Sequence, residues 1–146
     1  MDVRILGPLE VWEGSEQLAI DSPRQRSILA LLAATPNEVV SVDRIVDELW
    51  GDTPPESAQS TGRYHVSKLR SALVDAAVHV VTRSPGYVLE VDPDSIDVHR
   101  FEARAAEGRG LIATEPERAA RILVDALGLW RGAPLADFTY ESFARA

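Results

Sequence analysis

Residues 53–91 read TPPESAQSTGRYHVSKLRSALVDAAVHVVTRSPGYVLEV, and this stretch combines a helical pattern with a hairpin pattern. Thr53, Pro54 and Glu56 have the composition of an N-cap, a first helical residue and a capping-box partner. The pattern therefore predicts a long helix that begins at this cap and ends by Ala76. Its apolar positions recur at helical spacing and share one face: Ala58, Gly62, Val66, Leu69 and Leu73.

The opposite face of this predicted helix consists of short polar groups and cations. Its members are Ser60, Arg63, Tyr64, Ser67, Lys68 and Ser71, with Arg70 at the margin. No carboxylate occurs between Glu56 and Asp75. Such a face fits the major groove of B-DNA, where base edges offer hydrogen-bond acceptors. A charged helix face is also commonly just solvated, so at this point an ordinary amphipathic helix remains the alternative.

A β-hairpin is predicted directly after this helix. Its two arms and its turn are Val78, Val80 and Val81; Tyr87, Leu89 and Val91; and Ser84-Pro85-Gly86. Arg83 stands at the tip of the hairpin. A cation in that position could reach neighbouring phosphates or a narrow minor groove.

The part of the chain before residue 53 predicts an N-terminal sheet with a return strand at residues 17–20, a short strand at Val39-Val40 and two helices. Residues 3–12 alternate between apolar and polar side chains, as in a half-buried strand that bends at Gly7 and Pro8. Ser22 and Ser41 have the composition of N-caps, and an apolar periodic segment follows each of them.

Three long side chains in this part have two interpretations each. Trp50 extends the apolar stripe of the second helix, which favours packing between helices over a functional role. Arg24 and Arg26 lie at the start of the first helix, where solvent exposure is favoured over contact with phosphates.

The part of the chain after the hairpin is helical in pattern. Residues 92–97 form a polar, proline-containing linker, with Asp97 as the N-cap of the next helix. Thr114 followed by Pro116 predicts the cap of a second helix, and the two helices form a hairpin of the tetratricopeptide kind. Another helical pattern begins at residue 141 and is unfinished at residue 146, so we expect the helical part to need further helices.

These patterns divide the chain into a winged-helix domain over residues 1–91, a linker over 92–97 and a helical segment over 98–146. The predicted fold class is mainly α with small antiparallel β-sheets. A winged helix-turn-helix is followed by a tetratricopeptide-like helical segment that is cut short. We expect residues 1–96 to fold and bind DNA alone, and residues 97–146 not to fold alone, because about 50 residues without staples bury too little surface.

Composition limits the function classes. The 146 residues are 45% hydrophobic, contain no cysteine and carry a formal net charge of −8. This content suits a packed core, excludes disulfides and thiolate metal sites, and shows no membrane span or signal peptide, so we expect a cytoplasmic protein. The negative total would repel DNA, but between residues 57 and 83 four cations face only Asp75, so the local balance is positive.

Motifs for catalysis or cofactor binding are missing from the sequence. The three histidines, His65, His79 and His99, lack metal-ligand spacing. Residues 108–110 read GRG without the Lys-Ser/Thr of a phosphate-binding loop. We therefore expect no enzyme activity, no metal and no cofactor.

Seven segments together resemble the Streptomyces antibiotic regulatory protein family of transcription activators. Five match its DNA-binding domain, which is similar to the winged helix of OmpR/PhoB-type response regulators: GPLEVW (7–12), SPRQRSILALL (22–32), VVSVDRIVDELWGDTPP (39–55), HVSKLRSAL (65–73) and TRSPGYVLEV (82–91). Two resemble the start of the bacterial transcriptional activator domain of that family: VHRFE (98–102) and LWRGAPLADF (129–138).

The resemblance implies a DNA-contacting role for particular residues. The groove-facing positions of the recognition helix are occupied by Ser60, Arg63, Tyr64, Ser67 and Lys68. Arg70 matches a basic position that meets phosphate in related domains, and Arg83 matches the basic position of the wing that enters a groove. Ser60 and Ser67 stand where relatives often carry basic residues, so the base preference does not follow from the resemblance.

The resemblance also implies partners. Members of this family bind direct repeats in double-stranded DNA near promoters, as a dimer or a tandem pair, and help to recruit RNA polymerase. Repeats about 10–11 base pairs apart would place two copies on one face of the duplex. The alternative is a protein-interaction module with weak or no DNA binding, in which the helical hairpin is the functional part.

Overall fold

The computed structural model describes residues 1–74 and 78–138. Its strands are β1 (Asp2–Arg4), β2 (Glu10–Glu13), β3 (Glu16–Gln17), β4 (Val40–Ser41), β5 (His79–Arg83) and β6 (Gly86–Glu90). Its helices are α1 (Pro23–Ala34), α2 (Val42–Trp50), α3 (Ala58–Ala72), α4 (Asp97–Leu111) and α5 (Pro116–Leu127). The predicted helix beginning at residue 141 and the residues around Asp75 lie outside this described part. None of the helices described is long and apolar enough to cross a bilayer.

Two small antiparallel sheets bracket the first three helices. The N-terminal sheet has the order β1-β2-β3, and the second has the order β4-β6-β5. The prediction of a single bent strand over residues 3–12 is wrong, because β1 and β2 are separate strands with Val3 opposite Val11. The chain reverses at Gly7 and Pro8. Gly7 has a φ of 147°, which glycine adopts without steric cost because it has no Cβ. The predicted alternation is confirmed, since Val3 and Val11 are both buried.

The two serine caps predicted before α1 and α2 are confirmed. The hydroxyl of Ser22 accepts from the backbone N–H of Gln25, and that of Ser41 accepts from the N–H of Arg44. Each bond satisfies one of the free N–H groups in the first turn of a helix.

The predicted start of α3 at Thr53 is wrong. The helix begins at Ala58, and its N-cap Ser57 makes no side-chain cap bond. The reason is local, because Pro55 follows Pro54 and a residue that precedes proline is disfavoured in the α region. The helix then runs to Ala72, and its predicted apolar stripe is buried as expected: Ala58, Gly62, Val66, Leu69 and Leu73.

The core of the molecule forms where α1 packs between the two sheets and α3. Leu29 and Leu32 of α1, Leu69 of α3 and Leu89 of β6 are each fully buried in it. Phe138, from the far end of the described chain, belongs to the same core. Because this packing buries the inner face of α3, the opposite face of the helix points to solvent.

The helices α4 and α5 pack on each other through small residues. A Cβ at Gly108 would lie 2.7 Å from the side chain of Leu123, and Ala119 is 2% exposed. The predicted cap at Thr114 is wrong, because Pro116 is the first helical residue and Glu115 therefore becomes the N-cap. Leu127 at the end of α5 is 64% exposed.

The helical hairpin is tied to the N-terminal sheet by backbone contacts. Ile96 pairs with Val3 in a parallel bridge. Asp97 is 2% exposed and is not the predicted N-cap, which is Ile96. Its carboxylate instead accepts from the N–H groups of Ile5 and Leu6, at 2.8 and 3.0 Å, because these buried groups have no strand partner.

Ion pairs at the edge strengthen this junction. Arg131 donates to Glu10 at 2.9 Å and to the carbonyl of Pro8 at 2.8 Å. Burial alone would raise the pKa of Asp2, but hydrogen bonds and charge from Arg4 and Arg100 hold it below its usual value. Residues 92–97 therefore connect two parts that are in contact.

Candidate nucleic-acid interface

The outer face of α3 presents all five predicted groove-facing residues to solvent together. They are Ser60, Arg63, Tyr64, Ser67 and Lys68, and each is exposed. Their direction follows from the burial of the opposite face, where Val66 and Leu69 are at most 1% exposed. The helix carries no carboxylate along its whole length. Its surface can therefore donate hydrogen bonds to acceptors on another molecule without internal competition from acid on the same helix.

Aromatic rings and a cation lie against each other in the middle of this face. The ammonium of Lys68 lies 5.6 Å from the centroid of the Tyr64 ring, and this ring meets His65 edge to face. Burial, and then the nearby charge of Arg24, lower the pKa of His65. Both causes favour the neutral form of the imidazole.

The hairpin of β5 and β6 forms the predicted wing beside α3. Its five residue pairs run from His79 opposite Glu90 to Arg83 opposite Gly86, with Ser84 and Pro85 as the turn. The wing is held at the start of α2, because the N–H of Val42 donates to the carbonyl of Pro85 at 3.2 Å.

An open groove of about 350 Å³ separates α3 from the wing. Its lining includes Arg63 from α3, Val42 at the first turn of α2, and Thr82 and Ser84 from the wing. A guanidinium and two hydroxyls thus converge on one space. The groove can accept an anionic group of the size of a phosphate, and hydrogen bonds from these side chains would hold it.

Arg70 has a structural role that the sequence did not suggest. Its Nε donates to the carbonyl of Val80 at 2.8 Å, and its Nη2 donates to the hydroxyl of Thr82 at 3.0 Å. The guanidinium also lies over the ring of Tyr87. Arg70 therefore connects α3 to both strands of the wing, and the donors that remain are those available for phosphate.

Arg83 lies on the exposed side of the wing and does not line the groove. Its guanidinium donates to Glu90 at 2.8 Å, and both side chains are about half exposed. An exposed pair of this kind contributes roughly 0–1 kcal/mol, so Arg83 can exchange Glu90 for another anion at little cost.

The sequence favours solvent exposure for Arg24 and Arg26, but in the structure both side chains contact other parts of the chain. Arg24 of α1 lies over the ring of Trp50 at the end of α2, 4.5 Å from the ring centroid, and Trp50 is partly exposed. Arg26 donates to the carbonyl of Leu9 at 3.0 Å and forms an ion pair with Asp137. Neither pairing has a sequence signal, because the partners are 26 and 111 positions away along the chain.

Residues 1–74 and 78–138 contain no cluster of three or more His, Cys, Asp or Glu side chains that could hold a metal ion. The side chains that converge at the surface of α3 and the wing are donors of hydrogen bonds and positive charge. The arrangement suits recognition of an anionic partner.

Family models match both parts of the chain. The model of the family described as transcriptional regulatory protein, C terminal, matches residues 16–89. The model of the bacterial transcriptional activator domain matches residues 96–146.

Proteins of known name are similar to the chain over nearly its whole length. The transcriptional regulator RedD of Streptomyces coelicolor is 34% identical over 143 residues, which cover 94% of this chain and 41% of RedD. The regulatory protein DnrI of Streptomyces peucetius is 35% identical over 147 residues, covering 94% of this chain and 54% of DnrI.

A solved structure has the same fold. The structure of Mycobacterium tuberculosis EmbR in complex with a low-affinity phosphopeptide superposes with a TM-score of 0.90 at 32% identity. The match covers 99% of this chain and 39% of the EmbR chain. This chain therefore spans about half or less of the length of the relatives named here.

Proposed function

The chain belongs to the Streptomyces antibiotic regulatory protein family of transcriptional regulators, and from this premise we propose that it binds double-stranded DNA and activates transcription. We assign DNA binding to residues 1–91, joined by residues 92–97 to the beginning of an activator domain at residues 98–146. One observation carries the proposal. The exposed face of α3 contains no carboxylate and lies beside the groove between α3 and the wing. The matched family and the relatives named above are described as regulators, so the proposal includes no enzyme activity and no cofactor.

The contact residues divide into two roles. Ser60, Arg63, Tyr64, Ser67 and Lys68 are proposed to face the major groove. Lys68 would donate to guanine acceptors there, as a flexible cation in that groove can. Arg70 and Arg83 are proposed to meet phosphates, which set the position of the protein on the duplex without reading sequence.

Family membership supports a proposal about the partners. We propose that two copies bind direct repeats spaced about one helical turn, roughly 10–11 base pairs, and that the bound protein recruits RNA polymerase in the cytoplasm. Outside residues 57–83, acidic residues outnumber basic ones. This excess supports contact with DNA through α3 and the wing, since the other faces repel DNA.

The proposal is tested by selecting duplexes from a random pool with the chain and measuring affinity at several salt concentrations. We expect enrichment of a repeated motif and an affinity that falls steeply with salt, because Lys and Arg release counterions from phosphates. If no duplex is retained at low salt, DNA binding is excluded and the protein-interaction alternative stands.

Replacing Arg83 by alanine is expected to weaken binding to every duplex, because a phosphate contact is independent of sequence. The slope of log affinity against log salt should become shallower by about one unit. The fold should be unaffected, since the side chain is exposed and, among the described residues, its ion-pair partner is Glu90. Salt titrations of both proteins on one duplex measure the effect.

The matched control is Glu90→Gln, which keeps Arg83 and removes the negative charge of its intramolecular partner. We expect this variant to bind all duplexes more tightly than the wild type. Equal affinity of Arg83→Ala and wild type at low salt would remove the wing from the contact surface.

Replacing Lys68 by alanine is expected to cost more on the selected motif than on unselected DNA. A good base contact contributes about 1–3 kcal/mol of discrimination, which corresponds to roughly 5- to 150-fold. Affinities of one protein for both duplexes, at a single salt concentration, give the ratio. An equal loss on the two duplexes would reassign Lys68 to phosphate contact.

A further inference from the structure

The ring of Tyr64 contacts two neighbours on α3. The Nζ atom of Lys68 is 5.6 Å from the ring centroid. The ring of His65 meets the Tyr64 ring edge to face, with the two centroids 5.4 Å apart and an interplanar angle of 69°. Tyr64 and Lys68 are separated by four positions, so they are neighbours on the same surface of the helix.

The three side chains differ in burial, since His65 is partly buried whereas Tyr64 and Lys68 are exposed. His65 is half-buried, and its Nδ1 is a buried atom without a hydrogen-bond partner among the described residues. Tyr64 is 56% exposed, and its hydroxyl makes no hydrogen bond within the described residues. The partly buried ring of His65 therefore supports the ring of Tyr64, and the ammonium of Lys68 lies over that ring.

We propose that Tyr64 is a positioning residue, which holds the ammonium of Lys68 over its ring so that Lys68 enters the DNA major groove already oriented. An aromatic face attracts a cation through its quadrupole. A lysine fixed in one geometry normally loses much rotamer freedom, and a partner that orients it beforehand reduces that loss on binding. Tyr64 thereby sets how strongly Lys68 discriminates between bases. The inference rests on the proposed DNA-binding function.

The test is a double-mutant cycle with the whole chain. Tyr64→Leu keeps apolar bulk and removes the ring, Tyr64→Phe keeps the ring and removes the hydroxyl, and Lys68→Ala removes the cation. The readout is the ratio of Kd on an unselected duplex to Kd on a duplex selected from a random pool. Thermal melting verifies that each variant is folded, which is expected because both side chains are exposed.

We expect Tyr64→Leu to lower this ratio by about 2- to 5-fold, the strength of an exposed cation–π contact. The same change made in the Lys68→Ala protein should leave the ratio where Lys68→Ala alone puts it. Tyr64→Phe should restore most of the ratio, because the ring face is retained.

Three results would overturn the inference. Additive losses from the two sites would show that Tyr64 acts independently of Lys68. Equal losses from Tyr64→Phe and Tyr64→Leu would assign the effect to a contact made by the hydroxyl. An absence of salt-dependent binding by the wild type would remove the proposed function itself, whereas the first two results leave DNA binding intact.

Discussion

Replacing Gly86 by alanine is expected to separate the wing from β4 and to destabilise the fold. A Cβ at Gly86 would overlap the carbonyl oxygen of Val40 and would lie 2.7 Å from the Cα of Ser41. Both atoms are backbone, so no change of rotamer can make room. Overpacking of this kind costs about 1–3 kcal/mol and sometimes more.

The consequence extends to the candidate interface. Gly86 pairs with Ser41 and with Arg83, and the adjoining turn accepts a hydrogen bond from the first residue of α2. A displaced wing therefore opens the groove beside Arg63. We expect weaker binding to all DNA as well as a lower Tm, by about 2–4 °C for each kcal/mol lost.

The matched control is Gly110→Ala within α4. A Cβ there meets nothing within 4 Å, so alanine should be neutral or stabilising by up to about 1 kcal/mol. The measurement is the Tm of the wild type, of Gly86→Ala and of Gly110→Ala. If Gly86→Ala melts with the wild type, β4 and β6 are not in the contact described.

Replacing Asp97 by alanine is expected to loosen the helical hairpin from the N-terminal sheet. Its buried carboxylate satisfies the N–H groups of Ile5 and Leu6 at once. Each buried donor left without an acceptor costs about 1–3 kcal/mol. We expect a lower midpoint in denaturant unfolding, together with faster amide exchange at Ile5 and Leu6.

The control for this change is Asp94→Ala. Asp94 lies three residues earlier on an exposed turn, and its carboxylate makes no hydrogen bond within the described chain. Asp97→Asn provides an intermediate case, since the amide retains one acceptor oxygen. Asp97→Ala and Asp94→Ala unfolding at the same midpoint would mean that the carboxylate contributes nothing to the junction.

The same junction changes the expectation for the isolated pieces. A chain of residues 1–96 lacks Asp97 and also Leu135 and Phe138, which belong to the main core. Such a chain would leave the turn between β1 and β2 without its backbone partners. We therefore expect residues 1–96 to be less stable than the whole chain, in contrast to the independence that the sequence pattern suggested.

Local features of this chain could be read from the sequence because their causes lie within a few residues. A cap such as Ser22 acts on a backbone group three positions later, and the stripe on α3 follows from the period of the helix. The start of α3 was misplaced at Thr53 although its cause, the pair Pro54 and Pro55, is equally local. The exposed outer face of α3 was predicted correctly for the same reason of periodicity.

Contacts between distant segments could not be read in this way. Asp97 meets Ile5 and Leu6 across more than 90 positions, and Arg26 meets Asp137 across 111. The guanidinium of Arg70 donates a hydrogen bond to the wing instead of pointing only into solvent. Which buried donor finds which acceptor depends on how the elements pack in space, and a pattern of spacing along the chain carries no information about that.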